Sequence, residues 1–365
     1  MTKMYAPFYT RIGTLLLTFS TLIADCFAEP FQPTQSDQVI ARWPAVAIRQ
    51  HELSSEDRLA QAQQLLQTAN QPGQSFRYGL AEALVAPVVN NLAEKKAITT
   101  AGWYIWATIR QQQHEFDTAL EALQEITSPA PEYESAQLMR ARIFLTQGNT
   151  RAAQKSCLSL VGITDLLTLS ACTLEATPDN LAANYQHLSG LIDSHGLPAE
   201  PKRSWIMQLM AQMAMQLNRP EQAVQWLGAP TTTASVSWLS QWADLHFALQ
   251  DPATVYRHLD QLAQMLAAQQ LSLEDGLLLR LAHAGQLLNK LSWQSLVEAR
   301  MALRETRSDL QHASDLAYYF IYLAPNPNKA LHWAGVNLQS ANEAADQQLM
   351  QRALALGLPP ARRSE

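Results

Sequence analysis

The chain has 365 residues, with 26 basic and 32 acidic side chains and a formal charge of −6. That balance is ordinary solubilising acidity and argues against nucleic acid as a partner, which would call for a basic face. The length exceeds one typical globular core, yet no linker-like change of composition divides it.

Residues 1–28 read as a secretory signal. Lys3 and Arg11 give a basic start, Ile12 to Ala24 form an apolar run, and Cys26-Phe27-Ala28 offers small residues where a signal peptidase would cut. The run is short of the ~20 apolar residues that span a bilayer. Cleavage after Ala28 is preferred to lipidation of Cys26, because Asp25 stands where a small residue normally precedes a lipidated cysteine. Losing Lys3, Arg11 and Asp25 leaves 24 basic (26 − 2) and 31 acidic (32 − 1) side chains, a charge of −7. No later segment is apolar enough for a membrane span, and the signal with the small cysteine count makes a Gram-negative periplasm the expected location. Two cysteines remain, Cys157 and Cys172, and an oxidising compartment favours their pairing across the turn at Gly162-Ile163-Thr164.

Residues 29–53 carry Pro30, Pro33 and Pro44 without a helical period and should form an extended lead-in. From residue 54 to 356 the pattern is helical. Ser54-Ser55-Glu56-Asp57 caps a first amphipathic helix, Gln71-Pro72-Gly73 breaks it, and Phe76 to Ala93 is a second, interrupted by Pro87. Then one motif occurs twice. His114-Glu115-Phe116-Asp117-Thr118-Ala119-Leu120 and Gly148-Asn149-Thr150-Arg151-Ala152-Ala153-Gln154 each look like the turn of a helical hairpin, and Ala119 and Ala153 lie 34 residues apart (153 − 119). With Ala119 at position 20 of a 34-residue unit, Trp103 takes position 4, Ala107 position 8, Phe116 position 17 and Pro131 position 32. The next unit starts at Glu134, with Ala141 at position 8.

These positions resemble the tetratricopeptide repeat family, most closely over residues 100–167. Ala223, Val255 and Ala330 continue the anchor series, and the intervals of 34, 70, 32 and 75 residues read as one, two, one and two repeats. Degenerate units are therefore expected near 168–203 and 272–308, the latter opened by a capping box at Ser272-Leu273-Glu274-Asp275. Asp251-Pro252 and Asn326-Pro327 place a cap before a first-turn proline. Ala344 to Leu356 closes the array, and 357–365 is a tail. Strand patterning is absent. The expected fold is all-α, an α-α superhelix of seven or eight antiparallel hairpins.

Catalytic motifs do not emerge. There is no phosphate loop, no zinc helix and no nucleophile elbow, so no catalytic residue, cofactor or metal is assigned and the chain reads as a non-enzyme. Trp205-Ile206-Met207-Gln208-Leu209-Met210 brushes against the wording of lytic transglycosylases but lacks their catalytic Glu-Ser pair. Met207, Met210, Met213 and Met215 could capture a soft cation, but read better as fillers between helices. The resemblance does supply a surface. In tetratricopeptide arrays, positions 2, 5, 9 and 12 of the first helix line the concave face. Carried over, they give Tyr104, Thr108 and Gln111; Leu138, Arg142 and Leu145; Trp205, Gln208, Gln212 and Met215; Ser240, Asp244 and Phe247; and Asp315, Tyr319 and Tyr322. The carboxylate clamp of chaperone-binding members is missing. The lining implies a scaffold for an extended protein or peptide partner in envelope assembly, secretion or polysaccharide export. The alternative is a carbohydrate-binding accessory related to glycan-processing enzymes.

Overall fold

The computed structural model describes residues 53–90, 98–307 and 310–357. The signal and lead-in expected at 1–52, and the tail beyond 357, lie outside them.

Among the described residues, eight hairpins and a final helix follow in chain order. They are α1 (Ser55–Leu66) with α2 (Phe76–Asn90), α3 (Thr100–Gln112) with α4 (Phe116–Gln124), α5 (Tyr133–Thr146) with α6 (Thr150–Leu158), and α7 (Leu166–Glu175) with α8 (Leu181–His195). Next come α9 (Lys202–Gln216) with α10 (Pro220–Leu227), α11 (Val236–Ala248) with α12 (Pro252–Ala267), α13 (Asp275–Leu287) with α14 (Gln294–Thr306), and α15 (Ala313–Tyr322) with α16 (Pro327–Asn337), before α17 (Ala344–Leu356). No strand occurs among the described residues. Pairs α7–α8 and α13–α14 fill the two degenerate intervals.

One local device builds five of the hairpins. A single residue with φ between 57° and 75° follows the first helix: His114, Gly148, Asn218, Gln250 or Asn289. The next residue then donates its backbone N–H to a carbonyl five residues back: Glu115 to Arg110, Asn149 to Phe144, Arg219 to Ala214, Asp251 to His246, Lys290 to Gly285. This left-handed closure satisfies carbonyls that the helix end would leave bare. In two of them the second helix opens on a side-chain cap, where Asn149 accepts from the Ala152 N–H and Asp251 from that of Thr254.

Counting eight back from these junction residues gives Ala107, Ala141, Ala211, Ala243 and Ala282, all at most 3 % exposed. Only a small side chain lets the paired helices approach there. The second-helix anchors Ala119, Ala153, Ala223, Val255 and Ala330 are all fully buried. Successive first helices also pack on one another, α9 on α11, α11 on α13, α13 on α15 and α15 on α17, as the inner layer of the superhelix.

Two expectations need correction. The turn from α15 to α16 is one residue longer: Asn326 donates to Phe320, six residues back. A single residue rotates the helix phase by about 100°, so Ala317, fully buried, takes the small-residue position and Tyr318 the one after it. Second, Ser272-Leu273-Glu274-Asp275 is not a capping box. Glu274 is the N-cap of α13, and its carboxylate accepts the backbone N–H of Gly73, 201 residues earlier, at 2.9 Å.

That contact belongs to a series. Hairpin 1 reaches the N-cap of the first helix of hairpin 7 through Gly73 and Glu274. Hairpin 2 reaches hairpin 8, where the rings of His114 and His312 lie edge to face with centroids 5.9 Å apart. Hairpin 3 reaches α17: the Asn342 N–H donates to the Thr146 carbonyl at 2.7 Å, and Glu343, the N-cap of α17, accepts from the Thr146 hydroxyl at 2.9 Å. Hairpin 1 also touches hairpin 6, where the Val236 N–H donates to the Asn70 carbonyl at 2.8 Å. These contacts therefore run five or six elements along the chain, and between five and six hairpins complete one superhelical turn.

The hydrophobic core is not uniform. One cluster fills hairpins 1 to 3, ending at Ile143, and a larger one runs from Leu167 to Ala353. Between them lies a small cluster of Ala141, Ala153, Cys157, Cys172 and Ala176. The expected disulfide is there: Cys157 and Cys172 are bonded, with Cα atoms 5.6 Å apart.

Candidate functional site

The inner layer presents a row of side chains one residue past each small position: Thr108, Arg142, Gln212, Asp244, His283 and Tyr318. Apart from Thr108, the row divides into two neighbourhoods.

The first is a cleft of about 530 Å³ between hairpins 3, 4 and 5 and the segment that opens α17. Arg142, Glu175, Gln212, Gln216, Asn342 and Glu343 form its polar wall, and Leu145, Leu174, Leu181, Leu209 and Met213 its apolar one. Arg142 bridges Glu175 and Glu343, each at 3.0 Å. The Arg142 side chain is 45 % exposed, and the carboxylates of Glu343 and Glu175 raise its pKa above the ordinary value. Burial pushes the Glu175 carboxyl up, against the pull of Arg142 and a hydrogen bond from Trp205. One cation between two carboxylates leaves the cleft with a net charge of about −1 when all three are ionised.

The second neighbourhood spans α11, α13 and α15. Arg280 makes a two-pronged bond to Asp244, at 2.8 and 2.6 Å. The His283 ring lies between Phe247, 4.5 Å away, and Tyr322, stacked at 4.7 Å. Its Nδ1 lies 2.8 Å from the Tyr318 hydroxyl. Burial lowers its pKa to about 4, with Arg280 and Arg352 adding to that and Asp244 opposing. Arg352 of α17 covers the Tyr322 ring at 5.7 Å.

The residues named from the repeat register distribute unevenly. Arg142 and Gln212 share the cleft, and Trp205 joins them through Glu175. Gln208 lies one turn away on α9, its carbonyl accepting from Gln241 at 2.9 Å. Asp244 and Tyr322 meet in the aromatic neighbourhood. Tyr104 and Thr108 stand apart on α3, where Thr108 donates to the Tyr104 carbonyl at 2.8 Å and burial raises the Tyr104 pKa. Tyr319, turned by the longer α15–α16 turn, lies against Phe320 with centroids 5.0 Å apart. Burial raises its pKa, with Glu298 and Glu305 of α14 adding to the effect, so it sits on the α14 side, away from the row. Met210 and Met213 are core residues.

Sequence reasoning missed Glu175, Arg280, His283 and Glu343. The first three sit in the degenerate units, which carry no clear repeat register. Asn289-Lys290 repeats the Asn218-Arg219 junction and would have placed His283. Glu343 had no signal, because its role depends on the superhelix closing.

The geometry defines the class: a tetratricopeptide-like α-solenoid with a bounded inner cleft. No family model matches the chain, and no curated protein matches it. Among solved structures it is similar to the P58(IPK) TPR domain, at 12 % identity over 83 % of this chain and 98 % of that one, with a TM-score of 0.28.

Proposed function

We propose that the chain is an exported, non-catalytic scaffold that takes an extended segment of a protein partner into the cleft beside Arg142 and Gln212. The cleft itself carries the reading. Its volume suits a short peptide stretch, its amide groups suit a peptide backbone, and its net negative charge favours a segment bearing Lys or Arg. The second superhelical turn closes one side at Asn342 and Glu343, so the occupant is a short stretch, not a chain laid along an open groove. The disulfide accords with an oxidising compartment such as a periplasm. No helix among the described residues is long and apolar enough to cross a membrane. Roles in envelope assembly, secretion or polysaccharide export fit such a scaffold.

Carbohydrate is the second reading, prompted by Phe247, His283 and Tyr322. Their rings turn their faces on one another and Arg352 covers Tyr322, so stacking surface for a sugar is largely used. Peptide is therefore preferred. Peptide arrays and glycan arrays probed with the wild-type chain and with Gln212→Trp, which fills the cleft, test this. Basic peptides should be retained by the wild type and lost by the variant. Peptide binding that ignores the substitution, or glycan binding lost in Tyr322→Ala, contradicts it.

A further inference from the structure

The turn between α6 and α7 exposes four aliphatic side chains within nine residues: Leu158 at 53 %, Val161 at 63 %, Ile163 at 47 % and Leu166 at 56 %. Its apex is open, since a Cβ built on Gly162 would meet nothing within 4 Å. It is also held firmly. Leu160 is fully buried beneath it, its carbonyl accepts from the Ile163 and Thr164 N–H groups at 2.9 and 3.2 Å, and Cys157–Cys172 staples the flanking helices. A tip fixed in this way can insert with little loss of conformational entropy.

Charge surrounds the tip on one side. Arg151 and Lys155 are exposed and sit four residues apart on α6, with Leu158 three further on, so all three share a face. Neither has an ion-pair partner among the described residues. The nearby carboxylates are engaged: Asp165 with Thr168 and Lys202, and Glu134 with Lys202.

We propose that this tip docks on the anionic surface of a lipid bilayer, with Val161, Ile163 and Leu166 entering the acyl boundary and Arg151 and Lys155 meeting the headgroups. The deformable bilayer interior suits a short, exposed aliphatic turn, and the basic pair complements negative lipid. A protein interface of this size would favour aromatic anchors, which the tip lacks. A second copy seated on the same patch would bring like charges together.

The test uses the full chain with vesicles of phosphatidylcholine, with and without phosphatidylglycerol. Co-sedimentation is paired with amide hydrogen exchange read locally, so that attachment through the apolar N-terminal run is distinguished. Anionic vesicles should protect residues 158–166. Val161→Asp with Ile163→Asp should abolish that protection, and Lys155→Glu should weaken it at least about tenfold; these side chains are exposed, and far-ultraviolet circular dichroism checks the fold. The proposal is overturned if residues 158–166 gain no protection, if the double substitution leaves protection intact, or if the patch is instead buried in a dimer.

Discussion

Arg142 and Glu343 meet at 3.0 Å although 201 residues separate them. One lies mid-way along the inner layer and the other caps the last helix. Their contact turns an array of nearest-neighbour hairpins into a structure with long-range closure, and the cleft exists because of it.

Arg142→Ala would leave Glu175 buried without its cation. Burial already raises the Glu175 carboxyl above its ordinary 4.5. Its charge therefore opposes folding: that contribution is most favourable in acid and is lost as pH rises through the folded value. The substitution should cost about 2 kcal/mol at pH 7 and less near pH 4.5, and Glu175→Gln in the same background should remove the pH dependence. Urea unfolding at several pH values measures this.

His283 has the opposite sign. Its folded pKa of about 4 lies below the ordinary 6.5, so its contribution is complete above pH 6.5 and lost as pH falls towards 4. The wild type should lose up to about 3 kcal/mol from this group over that window. His283→Gln should flatten that part of the stability profile, at the expense of a weaker bond to Tyr318.

Cys172→Ser removes the covalent tie where the hydrophobic core thins between its two large clusters. A closed loop of 15 residues stabilises by about 3 kcal/mol in the chain-entropy model. Because solenoid stability is a sum of neighbour interfaces, the expected result is two separated unfolding steps by calorimetry where the oxidised chain shows a more cooperative one.

Gly148 and Gly162 both have positive φ, at 75° and 77°. Alanine at either should cost about 1–2 kcal/mol of backbone strain. At Gly148 the new Cβ would also lie 3.2 Å from the Asn342 Cβ, while at Gly162 it would meet open space. Gly148→Ala should therefore be the more destabilising in urea titrations, the difference reporting the contact between superhelical turns.

Much of this was legible in the sequence for a physical reason. Positions such as Ala107, Ala141, Ala119 and Ala153 are fixed by how closely two helices pack, so their chemistry repeats and their spacing survives. The phase of α15 was not legible, because one extra residue between Leu323 and Asn326 leaves Ala330 in register but shifts everything before it. That shift exchanged Tyr319 for Tyr318 in the inner row. The closure was hidden for a different reason: it sums small rotations over five to six hairpins, and no local pattern marks Glu274 or Glu343 as the partners of a distant turn.

Closure is the central claim, and oxidative cross-linking of a Gly148→Cys, Asn342→Cys chain tests it most directly. The closed superhelix should yield an intramolecular bond in the isolated chain, while a Gly162→Cys, Asn342→Cys control yields none. Failure of the first pair to cross-link, in a chain that retains its helical content and its Cys157–Cys172 bond, would contradict it.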